Sequence, residues 1–107
     1  MSKIKLKKWD VIDYLKSDKE MALYLEACLE EGDPALVIAA LGDIARARGM
    51  AQLARDTGIS REGLYKALSA DGNPEFATVM KVIKALGLKL TAETAVPAAK
   101  KRRTKAA

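Results

Sequence analysis

Apolar residues recur along this chain every three or four positions, and glycines and acid-proline turns interrupt them, so the pattern predicts a series of helices. Asp10 is the candidate N-cap of a short first helix through Leu15. Asp18 is the better cap of the next, because Glu20, Met21, Leu23, Tyr24, Leu25, Cys28 and Leu29 form a run that ends near Gly32. Asp33-Pro34 then supplies a capping carboxylate followed by a proline at the first helical position. Leu36, Val37, Ala40, Leu41, Ile44 and Ala47 carry that helix to Gly49. After the turn Asp71-Gly72-Asn73-Pro74, the residues Phe76, Val79, Met80, Ile83 and Leu86 mark one more amphipathic helix, ended by Gly87. Leu88-Lys89-Leu90-Thr91 alternates apolar and polar and reads as a short strand able to pair with a partner.

The segment from Met50 to Ser69 carries the most information. Leu53, Ala54, Ile59, Leu64 and Leu68 form an apolar seam on two short helices that bend at Gly58. Ala54 is small where the second helix must cross the first, and Gly58 supplies the positive φ that a larger residue resists. Ser60 can cap the second helix by accepting from the backbone N–H of Glu62 or Gly63. A small residue, a glycine, Ile-Ser and spaced leucines together predict a helix-turn-helix, whose second helix can lie in the major groove of DNA.

Charge agrees with that reading. Residues 10–33 hold eight acids against Lys16 and Lys19, while residues 46–89 hold eight bases against four acids. The basic stretch contains the helix-turn-helix, as phosphate contact requires. The acids either solvate helix surfaces or meet a basic partner. With 107 residues the chain has room for one modest core. The organisation expected is a basic N-terminal arm over 1–9, one helical domain over 10–91 and a flexible basic tail over 92–107. Lys3, Lys5, Lys7 and Lys8 alternate with Ile4 and Leu6 as a frayed strand or an arm, and the tail either adds phosphate contacts or only solubilises.

Enzyme chemistry is hard to place in this sequence. It has no histidine, one cysteine, no glycine loop for phosphates and no metal-ligand spacing, so no cofactor is expected. Cys28 lies in an apolar pattern, as a small core residue in a reducing, cytoplasmic setting. No apolar run is long enough to cross a bilayer, and no membrane partner is expected.

On a helix that begins after Ser60, the residues Leu64, Ala67 and Leu68 face the core, leaving Arg61, Glu62, Tyr65, Lys66 and Ser69 exposed. Arg61 can fork onto guanine O6 and N7. Glu62 either accepts from a cytosine amine or favours the helix N-terminus through the dipole. Tyr65 and Lys66 suit backbone or thymine-methyl contacts, and Gln52 and Arg55 on the preceding helix suit phosphates. Gly63 costs roughly 1 kcal/mol of helix propensity, which a close approach to DNA or to the first motif helix would explain. Ser60, at the start of the helix, completes the candidate DNA-binding set.

Asp33-Pro34-Ala35-Leu36, Leu41-Gly42-Asp43-Ile44-Ala45-Arg46-Ala47-Arg48-Gly49, Gly58-Ile59-Ser60 through Leu68-Ser69, Gly72-Asn73-Pro74-Glu75-Phe76-Ala77-Thr78-Val79 and Ala85-Leu86-Gly87-Leu88 resemble the addiction-module antidote proteins. These are small antitoxins related to the HigA type, and the helix-turn-helix alone also resembles lambda-repressor-like domains. The resemblance covers roughly residues 9–91. It implies an all-α, lambda-repressor-like domain of five to six helices that binds double-stranded operator DNA as a homodimer. It also implies a cognate toxin of the RelE/ParE-like class, which the antitoxin neutralises and with which it represses transcription. The chain departs from the lambda-like pattern at Met50, where glutamine is frequent, and at Gly63, where a hydroxyl residue is frequent.

One helix-turn-helix reads about half a site, so two copies are expected, joined mainly through residues 75–91. The competing functions are a free-standing phage-like repressor without a toxin and a protein-only helical adaptor.

Overall fold

The structure is a computed structural model that describes residues 8–95, with side chains described from Val11 onward. Six helices follow in order: α1 (Lys8–Tyr14), α2 (Asp18–Glu31), α3 (Pro34–Arg48), α4 (Met50–Thr57), α5 (Arg61–Ala67) and α6 (Phe76–Ala85). The fold is all-α, and no strand occurs among the described residues. The predicted basic arm, apart from its last residues in α1, and the basic run from Lys100 onward lie outside the described residues.

Local chemistry sets most boundaries. Asp33 caps α3 by accepting from the N–H of Ala35 at 3.0 Å, with Pro34 opening the helix. Gly32 ends α2 in the left-handed region at φ 74°, as the sequence predicts. Two predicted caps move. Asp10 lies inside α1, which is already helical from Lys8. Asp18 is the first residue of α2, and the cap is Ser17, whose hydroxyl oxygen accepts from the N–H of Glu20 at 3.2 Å. Glu20 reaches back and accepts from the N–H of Lys16 at 3.1 Å, so Ser-x-x-Glu closes the turn reciprocally.

Residues 88–91 are not a strand in this chain. The N–H of Leu88 donates to the carbonyl of Ile83 at 3.1 Å, and that of Gly87 donates to Lys84 at 3.0 Å. This Schellman closure, with Gly87 at φ 76°, takes the donor that a ladder beginning at Leu88 would use. Leu88 and Leu90 turn toward the chain's own core.

That core gathers Val11 and Leu15 around α1, Met21, Leu25 and Cys28 of α2, Leu41 and Ile44 of α3, and Leu53, Leu64, Leu68, Val82 and Leu86. Burial, followed by the nearby Asp43 and Glu31 carboxylates, raises the Cys28 thiol above its ordinary pKa, so it stays protonated. Arg48 near the end of α3 pairs with Asp18 at the start of α2 and lies 3.5 Å from the Met21 sulfur. The acidic helix therefore meets a base from its own chain. Glycine is required where α3 passes α5: a Cβ on Gly42 would lie 2.3 Å from the Leu68 carbonyl oxygen. No helix among the described residues is long and apolar enough to cross a membrane.

Candidate nucleic-acid interface

The bend between α4 and α5 is built from its own residues. Gly58 closes α4 at φ 77°, and its N–H donates to Ala54 at 2.9 Å. Thr57 is buried; its hydroxyl donates to the Leu53 carbonyl at 2.8 Å and accepts from the N–H of Ile59 at 3.2 Å. This double role escapes a reading based on apolar spacing, although a threonine immediately before the turn glycine is its signal. Ser60 caps α5 by accepting from the N–H of Gly63 at 3.0 Å, one of the two predicted partners.

The turn aims α5 so that Leu64 and Leu68 are at most 1% exposed, with Ala67 half-buried beside them. Arg61, Glu62, Tyr65 and Lys66 are exposed. Ser69 is half-buried just past the helix, and its hydroxyl donates to the Lys66 carbonyl at 3.1 Å, which makes it an end cap as well as a surface group. On α4, Gln52 and Arg55 are exposed on one face and tied together. Arg55 donates to the Gln52 side-chain oxygen at 2.8 Å, while the Gln52 amide donates to Asp56 at 2.9 Å. Asp56 thus places a carboxylate beside the two groups expected to contact phosphates.

Gly63 has a nearer explanation than an approach to α4. A Cβ there would lie 3.1 Å from Ser60 Oγ and 3.3 Å from Ile59 Cγ2, so its close neighbours are the cap and the turn and not α4. Gly72 is tighter: its Cβ would lie 2.3 Å from the Ala67 carbonyl oxygen, which presses the following turn onto the end of α5.

Behind α5 lies a polar cluster that the sequence does not mark as functional. Asp43 on α3 is 4% exposed and accepts from the Tyr24 hydroxyl at 2.8 Å. Burial, followed by this hydrogen bond and the Asp43 charge, pushes the Tyr24 hydroxyl well above its ordinary pKa of about 10. Arg46 approaches Asp43 to 3.8 Å and stands over the Tyr65 ring, 5.5 Å from its centroid.

Elsewhere on the surface, Leu25, Leu29, Val37, Ile38, Phe76, Val79, Ile83 and Leu90 line an apolar groove of about 320 Å³. The exposed face of α4 and α5 is polar and carries Arg55, Arg61 and Lys66 beside Asp56 and Glu62, whereas this groove is apolar.

No solved structure matches this chain. A protein of Haemophilus influenzae, named only as uncharacterized, is 64% identical over 83 residues, covering 78% of this chain and 86% of the relative. The family described as probable addiction module antidote protein matches residues 5–94. With that span matched, on a helical frame carrying the helix-turn-helix, the chain belongs to the probable addiction module antidote protein family.

Proposed function

We propose that this protein is the antitoxin of a type II toxin–antitoxin module, of the HigA-related, lambda-repressor-like kind. It represses its own operon by sequence-specific binding to double-stranded operator DNA and neutralises a RelE/ParE-like toxin by direct contact. The observation that carries the DNA half is the division of α5. Leu64 and Leu68 anchor it, while Arg61, Glu62, Tyr65 and Lys66 face outward beyond a capped turn. Arg61 reads a base; Gln52, Arg55 and Lys66 contact the backbone; Ser60, Gly63 and Ser69 set the helix ends. The protein acts in the cytoplasm as a regulator rather than an enzyme, without a cofactor.

The same reading makes the protein a homodimer joined through residues 75–91. Leu88 and Leu90 pack partly against their own core, so the contact centres on Phe76 and Met80, which are 68% and 43% exposed. Asp18 is paired with Arg48, and the exposed Glu26, Glu30 and Glu31 of α2 remain available to a basic toxin.

The test is a titration of the DNA upstream of the gene against a shuffled duplex over a range of salt concentrations. Tight, salt-dependent and selective binding is expected. Binding to neither duplex would leave the adaptor reading. Co-purification with the product of the adjacent reading frame separates an antitoxin from a free-standing repressor.

A further inference from the structure

Side chains from three helices form a line that ends on α5. The Tyr24 hydroxyl of α2 donates to Asp43 Oδ2 at 2.8 Å, and Asp43 Oδ1 lies 3.8 Å from Arg46 Nη1, one turn further along α3. The Arg46 guanidinium then stands over the Tyr65 ring at 5.5 Å from the centroid. Gly42 lies in the same seam: a Cβ there would meet the Leu68 carbonyl oxygen at 2.3 Å and Arg46 Nη1 at 3.1 Å. The backbone of α3 is thus close against the end of α5, and Arg46 emerges from that contact beneath Tyr65.

A guanidinium prefers the face of an aromatic ring, and a buried carboxylate 3.8 Å away attracts its charge toward the inside of that seam. Arg46 is 28% exposed and its Asp43 partner 6%, so this cation is directed inward, unlike exposed Arg61. Tyr65 is 40% exposed, with its ring covered from one side by Arg46. A side chain already held in one orientation loses less freedom when it binds.

We propose that Arg46 is a positioning residue of the DNA interface, held by Asp43 and acting through Tyr65, whose ring it fixes on the exposed side of the recognition helix. The inference rests on the DNA-binding reading above. Arg46 does not itself take a phosphate in this arrangement, and that separates its behaviour from that of an ordinary surface cation.

The experiment uses the full chain and a duplex selected by the wild-type protein from a random pool. Arg46→Met should weaken binding to that duplex about two- to fivefold, the size expected of a cation–π contact. The slope of log affinity against log salt should stay unchanged, since no phosphate contact is lost. In a Tyr65→Ala background the same substitution should have no further effect, because the group it acts through is gone. Arg46→Lys should recover part of the affinity. Thermal melts of each variant separate loss of binding from loss of fold.

A loss of equal size in the Tyr65→Ala background, or a salt slope reduced by about one, would make Arg46 a direct phosphate contact and overturn the inference. Wild-type affinity in Arg46→Met would overturn it as well while leaving the DNA reading intact. Failure of the wild-type protein to select any duplex would overturn both. If Arg46→Met fails to fold, Arg46→Lys and Tyr65→Ala still close a cycle on binding, and independent, additive losses there count against the proposal.

Discussion

On α5, Leu64 and Leu68 are at most 1% exposed and the residues around them carry charge; on α2 and α6, Leu23, Leu29, Phe76 and Met80 are 41–68% exposed. The difference follows from what holds each helix. Seven residues are too few to stay helical alone, so α5 depends on its buried leucines and its serine cap. The fourteen residues of α2 have a serine cap at one end and a left-handed glycine at the other. With ends so secured, α2 can leave Leu23 and Leu29 at the surface, and Leu29 borders a groove of about 320 Å³. A contiguous apolar surface of that kind suits a protein contact, whereas a polyanion calls for the cations of the α4–α5 side.

The largest expected effect sharpens this contrast. Leu64→Ala should cost about 2–5 kcal/mol of stability, because a fully buried leucine leaves a cavity between α5 and its neighbours. Phe76→Ala, a larger truncation, should change monomer stability by no more than about 0.5 kcal/mol, because the ring is 68% exposed. Urea unfolding of both variants measures the two directly. Similar losses would break the comparison and mean that the α6 surface is covered.

Next comes the cluster behind α5. Tyr24→Phe removes the donor to a buried carboxylate and should cost about 1.5–3 kcal/mol at neutral pH. The pH dependence has a definite sign. Burial and the hydrogen bond to Asp43 raise the Tyr24 pKa in the folded state, so the folded protein holds this proton more tightly than the unfolded chain. Its contribution is complete below about pH 10, the unfolded value, and is lost as pH rises beyond it. Unfolding midpoints at pH 9 and pH 11 should therefore converge for wild type and Tyr24→Phe. A constant gap would show that Tyr24 is not held protonated by the fold.

On the polar side, Arg61→Ala should cost about 1–3 kcal/mol on a selected duplex and little on random DNA. Anisotropy titrations on both duplexes measure it. Equal losses on the two would assign Arg61 to a phosphate.

What the sequence makes legible is local. Gly32, Asp33-Pro34, Gly58 and Ser60 each act on a backbone group within four residues, so residue type and spacing suffice to place them. The cap at Ser17 is misread by one position because two capping residue types stand side by side, and Glu20 three residues beyond the serine resolves them. Alternation over four residues from Leu88 cannot distinguish a strand from chain leaving a Schellman turn, since both place every second side chain inward. The meeting of Tyr24, Asp43, Arg46 and Tyr65 depends on how three helices cross, and no spacing along the chain encodes that crossing. Arg48 is misleading for the same reason: counted among the bases of the motif half, it pairs with Asp18 instead.

The smallest expected effect separates the two serine caps. Ser17→Ala and Ser60→Ala each remove one acceptor from a helix N-terminus, at 3.2 Å from the Glu20 N–H and 3.0 Å from the Gly63 N–H. Each should cost about 1 kcal/mol of global stability, and on that measure the two variants should look alike. They should differ on DNA. Without Ser60, α5 loses the contact that fixes its first turn, where Arg61 and Glu62 sit, and both must be ordered again on binding. Ser17 starts the acidic α2, away from the bend, and has no such role. Affinity for a selected duplex should therefore fall for Ser60→Ala and hold for Ser17→Ala at matched stability. Equal affinities would mean that the buried leucines alone aim α5.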